Sequence, residues 1–326
     1  MIFISRKTGM LVQLSLRINF TKIQTMRNLT LCLSVALIFL CSYSFGQHND
    51  TKTLKRKLEK IIKPYNATVG VSILSIEDGD TLTINNGHHF PMQSVYKFPL
   101  AIAILHDVDK GKLVLSQKIH ISKEDLHPQT WSPLREKYPN GNIDLTLGEL
   151  LGYAVSNSDN NVCDILFGLA GGTRPVNHYI HGIGIREIAI VATEAEMARA
   201  WEVQYTNWAQ PSALTNLLDG VYHGKYLSDQ CSNFLIKIMT ETVTGPKRIK
   251  RLLPEGTEVA HKTGTSNTNG KGMMAATNDV GIVTLPNGKH FAIAVFVSNT
   301  MESGDTNERI IAEIAKATFD YFNGKK

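Results

Sequence analysis

The chain has 326 residues, 43% hydrophobic and 19% charged, which is enough apolar material for a large core in one or two domains. Lysine and arginine (34) exceed aspartate and glutamate (29) for a net charge of +5. The basic residues are dispersed rather than gathered into a run with interleaved aromatics, which argues against nucleic acid as a partner.

In chain order, Met26-Arg27 precedes the apolar run Leu29 to Leu40, which ends at Ser44-Phe45-Gly46. This is the pattern of a secretory signal peptide over 26–46, cleaved before Gln47, and it predicts a periplasmic protein. The run falls short of the ~20 residues of a spanning helix, and Leu40 before Cys41 does not suit a lipoprotein signal, so no stable membrane anchor is expected. Residues 1–25 are an upstream leader or a mis-assigned start. Cys32 and Cys41 leave with the signal. Cys163 and Cys231, each in a helical pattern, read as buried small hydrophobes without a disulfide framework. His88, His89, His120, His127 and His261 lack the spacing of a zinc site, and neither a metal nor a cofactor is implied.

The mature segment, 47–326, reads as one domain. "ATVGVSILSIEDGDTLTINNG" (67–87) has β-branched runs around Glu77-Asp78-Gly79-Asp80, as in a hairpin. From about 92 to 240 the pattern is mostly helical, with "LTLGELLGYAVSNSDNNVCDILFGLAGG" and "PSALTNLLDGVYHGKYL" amphipathic and ending at glycine. "TEVAHKTGTS", "DVGIVTLPNG" and "HFAIAVFVSN" return to strand patterns, with Asn287-Gly288 as a hairpin turn. "NERIIAEIAKATFDYF" closes the chain at helical spacing. The fold class expected is α/β (α+β): an antiparallel sheet from both chain ends (about 47–90 and 241–326), flanked by helices, with an inserted all-helical part (about 91–240). A cleft between the two parts is the natural place for a small ligand.

Within "FPMQSVYKFPL" (90–100), Ser94 and Lys97 lie one turn apart at a helix start, so the amine can reach the hydroxyl. An isolated S-x-x-K is usually a surface pair, but no other serine in this chain has a lysine three residues on. Phe90, Met92, Val95, Phe98, Leu100, Ile102 and Ile104 surround it with apolar side chains, which partly desolvate the lysine and favour its use as a base. Ser94 stands near free backbone N–H groups, and Pro99 suits the first turn. The second element is Ser158-Asp159-Asn160, the third Lys262-Thr263-Gly264. Lys7-Thr8-Gly9 repeats the third triplet upstream of the signal, so the triplet alone carries nothing; its place on a strand-like segment after the other two does.

S-x-x-K, S-D-N and K-T-G in this order resemble the motif set of class A β-lactamases and penicillin-binding proteins. The whole mature chain resembles class A serine β-lactamases. "FPMQSVYKFP", "TWSPL", "SDNNVCDIL", "VQYTNW", "AHKTGTS" and "AATNDVGIVTLPNG" are most similar to the VEB/PER extended-spectrum subgroup. The resemblance implies hydrolysis of penicillins and cephalosporins, bulky ones included, by a monomer without cofactor, and hence resistance. Ser94 would form an acyl-enzyme, Lys97 would take or relay its proton, and Ser158 would pass a proton to the lactam nitrogen. Asn160 would hold the substrate's side-chain amide, and the backbone N–H groups of Ser94 and Thr265 would bind the oxyanion. Lys262, Thr263, Gly264, Thr265 and Ser266 would bind the carboxylate beside the ring.

The resemblance also implies that Arg248 supports that anion site, although in "GPKRIKRLL" it equally reads as part of a solvated patch with Lys247, Lys250 and Arg251. Trp131 would pack on substrate at the cleft rim; without the family it reads as rim or core alike. For deacylation, "TEAEMARAWEVQYTNW" offers Glu194, Glu196 and Glu202. Glu194 matches, thirty-six residues after Ser158 and thirteen before Asn207, while the other two read as solvent-facing. Two departures stand out. Ala198 replaces the usual amide or imidazole four residues after the catalytic glutamate, and Asp164 with Asn207 reverses the usual Asn and Asp, as in the VEB/PER subgroup. Glu194 separates this reading from a penicillin-binding DD-peptidase, and turnover separates it from a non-catalytic β-lactam-binding module.

Overall fold

Residues 51–325 are described by the computed structural model; the leader, the signal peptide and Lys7-Thr8-Gly9 lie outside the described residues. The described chain opens with a helix the sequence reading did not anticipate, α1 (Thr51–Ile62), followed by the expected hairpin of β1 (Thr68–Ser75) and β2 (Thr81–Ile84). After β3 (Phe90–Pro91) and a 3-10 turn (Gln93–Tyr96) come α2 (Lys97–Asp109), β4 (Lys118–Ile121), α3 (Pro133–Lys137) and β5 (Ile143–Thr146). Next are α4 (Leu147–Val155), α5 (Asn160–Leu169), α6 (Thr173–Gly182), β6 (Ile188–Ala189), α7 (Glu194–Met197), a 3-10 turn (Trp201–Thr206) and β7 (Trp208–Ala209). Helices α8 (Pro211–Tyr222) and α9 (Asp229–Thr240), a 3-10 turn (Ile249–Leu252), strands β8 (Val259–Thr265), β9 (Met274–Thr284) and β10 (His290–Thr300), and α10 (Gly304–Asn323) complete it.

The main sheet is antiparallel in the order β2-β1-β10-β9-β8, so strands from both chain ends pair directly, Val69 opposite Val297. Alternation divides β10 between two cores: Phe291, Ile293, Val295 and Val297 pack with Leu54 and Leu58 of α1 and Ile310, Ile311 and Ile314 of α10, while Ala292, Ala294 and Phe296 join the core of the central helices. A sheet covered on both faces reads as a continuous apolar run, as "HFAIAVFV" does. The middle of the chain is less uniformly helical than its pattern suggests. It contains the ladder β4-β5 and a small sheet β3-β7-β6 of two-residue strands, too short to leave a periodic signal. Cys163 and Cys231 are buried and unpaired, and burial raises both thiols, Cys231 to about 11.

Two contacts place the sheet against the start of α2. Asn278 on β9 donates Nδ2–H to the carbonyls of Pro91 (2.8 Å) and Met92 (3.1 Å). Gly264 on β8 comes so close that a Cβ there would lie 2.3 Å from the Met92 carbonyl oxygen. We expect Gly264→Ala to force β8 away from this turn, costing about 1–3 kcal/mol as an overpacked contact. Urea unfolding will check this: unaltered stability would mean that the approach is not tight.

Candidate active site

Helix α2 is apolar on all sides from Phe98 to Leu105, every residue from Lys97 to Leu105 being buried, so a lysine in its first turn has no route to water. The expectation of partial desolvation is thus corrected to complete burial, at 0% exposure. Lys97 Nζ lies 3.1 Å from Ser94 Oγ and donates to the Ser158 carbonyl (2.8 Å) and to Asn160 Oδ1. It also forms an ion pair with Glu194 Oε1 at 2.9 Å. Ser94 is the second residue of its 3-10 turn, where a backbone N–H has no acceptor within the turn. Gln93, just before it, takes φ +47, a left-handed conformation held by a hydrogen bond from its amide to Gln204.

The S-D-N element works through Asp159. Asp159 is fully buried and N-caps α5 through the Val162 N–H (3.0 Å), while accepting Ser132 Oγ–H and the Leu134 N–H (2.8 Å). Burial raises its carboxyl above the usual range. Ser158, at φ +58, sends its carbonyl to Lys97 and its Oγ to Lys262 Nζ at 2.9 Å. Asn160 Nδ2 also donates to Thr130 Oγ1 (2.7 Å).

Just past the end of β8, Ser266 donates its N–H to the Ala276 carbonyl, and Thr265 stands opposite Thr277. Antiparallel pairs alternate between bonded and unbonded, and β8 is an edge strand, so the Thr265 N–H points outward beside Ser94. Lys262 is fully buried. Desolvation, then the Lys97 charge, pull its ammonium well below the ordinary lysine value. Thr263 Oγ1 pairs with Thr244 Oγ1 at 2.6 Å. Arg248 is not part of a solvated patch: it is 5% exposed, and its guanidinium donates to the carbonyls of Gly264 (3.1 Å) and Asn278 (2.8 Å), to Thr265 Oγ1 (2.6 Å) and to Glu308 (3.2 Å).

Glu194 begins the single-turn helix α7. Both carboxylate oxygens of Asp164 receive backbone N–H groups from this turn, Glu194 at 2.8 Å and Ala195 at 2.9 Å. Asn207, completely buried, bonds the N–H groups of Val191 and Ala192 and the carbonyl of Ala192. Glu196 departs from expectation: it is half-buried and closes a capping box with Thr193, while Glu202 is exposed as expected.

Two adjoining cavities meet at Ser94. The larger, about 850 Å³, runs between Glu194, Asn160 and Thr130 and the stretch Met197 to Trp201, with Ser266 on its wall. The smaller, about 220 Å³, is lined by Ser158, Thr244, Thr263 and Thr265. Trp131, 55% exposed, borders both, its Nε1–H held by the Asn157 carbonyl (3.0 Å), and Ala198 lines the larger. Sequence reading missed Asp159 as a cap and Thr130, Thr244, Gln93, Gln204 and Asn278 as supports. Only Asp159, an aspartate directly before a helical pattern, carried a local signal.

A family model described as "Beta-lactamase enzyme family" matches residues 53–322. Beta-lactamase VEB-1 from Pseudomonas aeruginosa is 48% identical over 293 residues, 89% of this chain and 96% of that protein. Extended-spectrum beta-lactamase PER-1 from the same organism is 42% identical, over 87% and 92%. Among solved structures, TLA-1 extended spectrum beta-lactamase is 54% identical with a TM-score of 0.83, and a beta-lactamase from Chitinophaga pinensis is 55% identical with a TM-score of 0.82; they cover 84% and 83% of this chain and the whole of theirs.

Asp164 yields a pH prediction. Burial raises its carboxyl from 3.8 to about 6, against the pull of the two N–H groups it accepts. The folded state therefore holds this proton more tightly than the unfolded chain does. Its contribution to stability is complete below pH 3.8 and lost as pH rises through about 6. Asp164→Asn lacks this titration, so its stability relative to the parent should improve steadily from pH 4 to 7. Thermal unfolding of both proteins across that range checks it, and a pH-independent difference would refute the assignment.

Proposed function

The chain belongs to the beta-lactamase enzyme family, whose members hydrolyse the β-lactam amide, and from that premise we propose how its residues divide the work. Ser94 Oγ attacks the lactam carbonyl, and its proton passes to Lys97 Nζ, which hands one on to Glu194. The oxyanion is met by the N–H groups of Ser94 and Thr265, each worth on the order of 10² to 10³ in rate. Ser158 delivers its proton to the departing nitrogen and takes one back from Lys97, which recovers its own from Glu194, so that the Ser94 proton ends on nitrogen and Glu194 is again a carboxylate; Lys262, 2.9 Å from Ser158 Oγ, holds that hydroxyl in place. Ser94 is then an ester and the ring is open. Glu194 next takes a proton from water as its oxygen adds to the acyl carbon, and the carbon–Oγ bond breaks with return of a proton to Ser94. The observation that carries this reading is the buried Lys97 ammonium, within 3.1 Å of Ser94 Oγ and 2.9 Å of Glu194 Oε1.

The substrate's ring carboxylate lies against Thr263, Thr265 and Ser266 at the mouth of the smaller cavity, with Lys262 and Arg248 behind. Gly264 has no side chain to offer and serves by its close packing. The acylamino side chain lies along Asn160 and Trp131 into the larger cavity. Its 850 Å³ favours bulky cephalosporins, and two of the relatives carry the words extended-spectrum in their names. No helix among the described residues is long and apolar enough to cross a membrane; with the signal pattern at 26–46, periplasmic action on small β-lactams, conferring resistance, is the setting.

Residues 47–326, mixed with excess cephalosporin, should open many rings per enzyme with little adduct in the intact mass. One equivalent followed by a stable adduct would instead mark a penicillin-binding or sensor protein. Ser94→Ala should abolish acylation, and turnover by that variant would remove the serine from its role. Glu194→Gln should accumulate acyl-enzyme, its deacylation slowed by ~10² to 10⁴; normal turnover would move the base elsewhere. Ala198→Asn should speed deacylation by supplying a donor to the water, read by the decay of the adduct in single-turnover experiments, and a slower decay would show that the loop holds water otherwise.

A further inference from the structure

Behind the K-T-G strand, on the face turned away from Ser94, lie two groups the mechanism does not use. His261 and Asp279 are both at 0% side-chain exposure, and His261 Nδ1 lies 2.9 and 3.1 Å from the two carboxylate oxygens. The imidazole's other nitrogen, Nε2, is buried and has no hydrogen-bond partner. A hydrocarbon would fill this place at less cost, since a buried ionisable pair seldom gains stability over apolar side chains of equal volume. The backbone is shaped to admit the ring: opposite His261 stands Gly281, where a Cβ would lie 2.7 Å from His261 Cβ and 2.5 Å from the Ala260 carbonyl oxygen.

Asp279 has one further contact. Its Oδ2 accepts the N–H of Ile249 (3.2 Å), the residue after Arg248. The turn carrying Arg248 is also tied by the Arg248 N–H to the Gly245 carbonyl, by the buried Ile249 side chain and by the pairing of Arg248 with Glu308, and a Cβ at Gly245 would overlap Thr263 Cγ2 at 2.7 Å. From that turn the guanidinium reaches around the sheet edge to Gly264 and Thr265. We propose that His261 and Asp279 are positioning residues for carboxylate recognition: His261 orients Asp279, Asp279 fixes the Arg248 turn, and Arg248 fixes Thr265. Their product is affinity for the anionic group of the substrate rather than chemistry at Ser94. This rests on the carboxylate reading given above.

The test compares a penicillin with its methyl ester and reads the ratio of their kcat/KM values, which isolates the carboxylate from folding and from acyl transfer. Active enzyme is counted by acyl titration. Arg248→Ala, the reference, should lower the ratio at least about tenfold, and Asp279→Ala about as much, chiefly through KM. Asp279→Asn, which keeps an oxygen for the Ile249 N–H, should recover most of the ratio, and His261→Gln should lower it about threefold. Adding Asp279→Ala to Arg248→Ala should change the ratio no further.

If Asp279→Ala does not fold, His261→Gln alone and combined with Arg248→Ala carries the comparison. Acid and ester falling by equal factors in the Asp279 and His261 variants would overturn the proposal and leave the pair a structural one. An unchanged ratio in Arg248→Ala would instead overturn the carboxylate reading beneath it.

Discussion

One ammonium group organises this molecule. Lys97 is fully buried in a helix whose next eight residues are apolar and buried too, and moving such a charge out of water costs several kcal/mol unless partners close around it. Those partners come from separate parts of the chain: Ser94 from the turn before α2, Ser158 and Asn160 from the S-D-N loop, Glu194 from α7. Each supplies an oxygen, and the loss of any one leaves a buried charge short of a partner. The groups proposed as nucleophile, proton donor and deacylating base are therefore neighbours because a single cation requires all of them. Catalytic geometry and folding energetics are the same constraint here.

A second lysine complicates the balance. Ser158, in its left-handed conformation, offers its carbonyl to Lys97 and its hydroxyl to Lys262, so two buried ammonium groups converge on one residue. Burial and the charge of Lys97 together drive Lys262 toward its neutral form. An arriving carboxylate would reverse that by supplying the missing counterion, which makes anion binding and a charged Lys262 mutually supporting. Arg248, always charged, holds the far side of the same cradle by gripping backbone carbonyls at the sheet edge.

Much of this was legible in the sequence because it is local. Ser94 and Lys97 share one helical turn, Asp159 precedes a helix, and the strands of the sheet alternate or run apolar as their two-sided burial demands. The order of three short motifs supplied the rest through resemblance. Distance-dependent features were not legible. Nothing in "SDNNVCDIL" says that Asp164 will receive the N–H groups of residues thirty and thirty-one positions away, and nothing in "GPKRIKRLL" separates the buried Arg248 from its exposed neighbours. The approach of Gly264 to Met92 exists only once two ends of the chain have met. Strands of two residues, such as β3, β6 and β7, are below the length at which any period can be read.

The segment from 191 to 211 shows how such long-range contacts divide labour. Helix α7 buries no residue completely and touches the apolar core only through Met197, so the core gives Glu194 little support. Polar anchors supply most of it: Asp164 grips the first two N–H groups of α7, and Asn207 grips Val191 and Ala192 just before it while its carbonyl receives the Met92 N–H near Ser94. Between these anchors Ala198, Arg199 and Ala200 are exposed and form one wall of the larger cavity. Residues there can change size and shape without loosening Glu194, because none of the anchoring bonds passes through their side chains. A wide cleft and a fixed Glu194 are compatible in this architecture: the wall is built from the stretch that the anchors leave free.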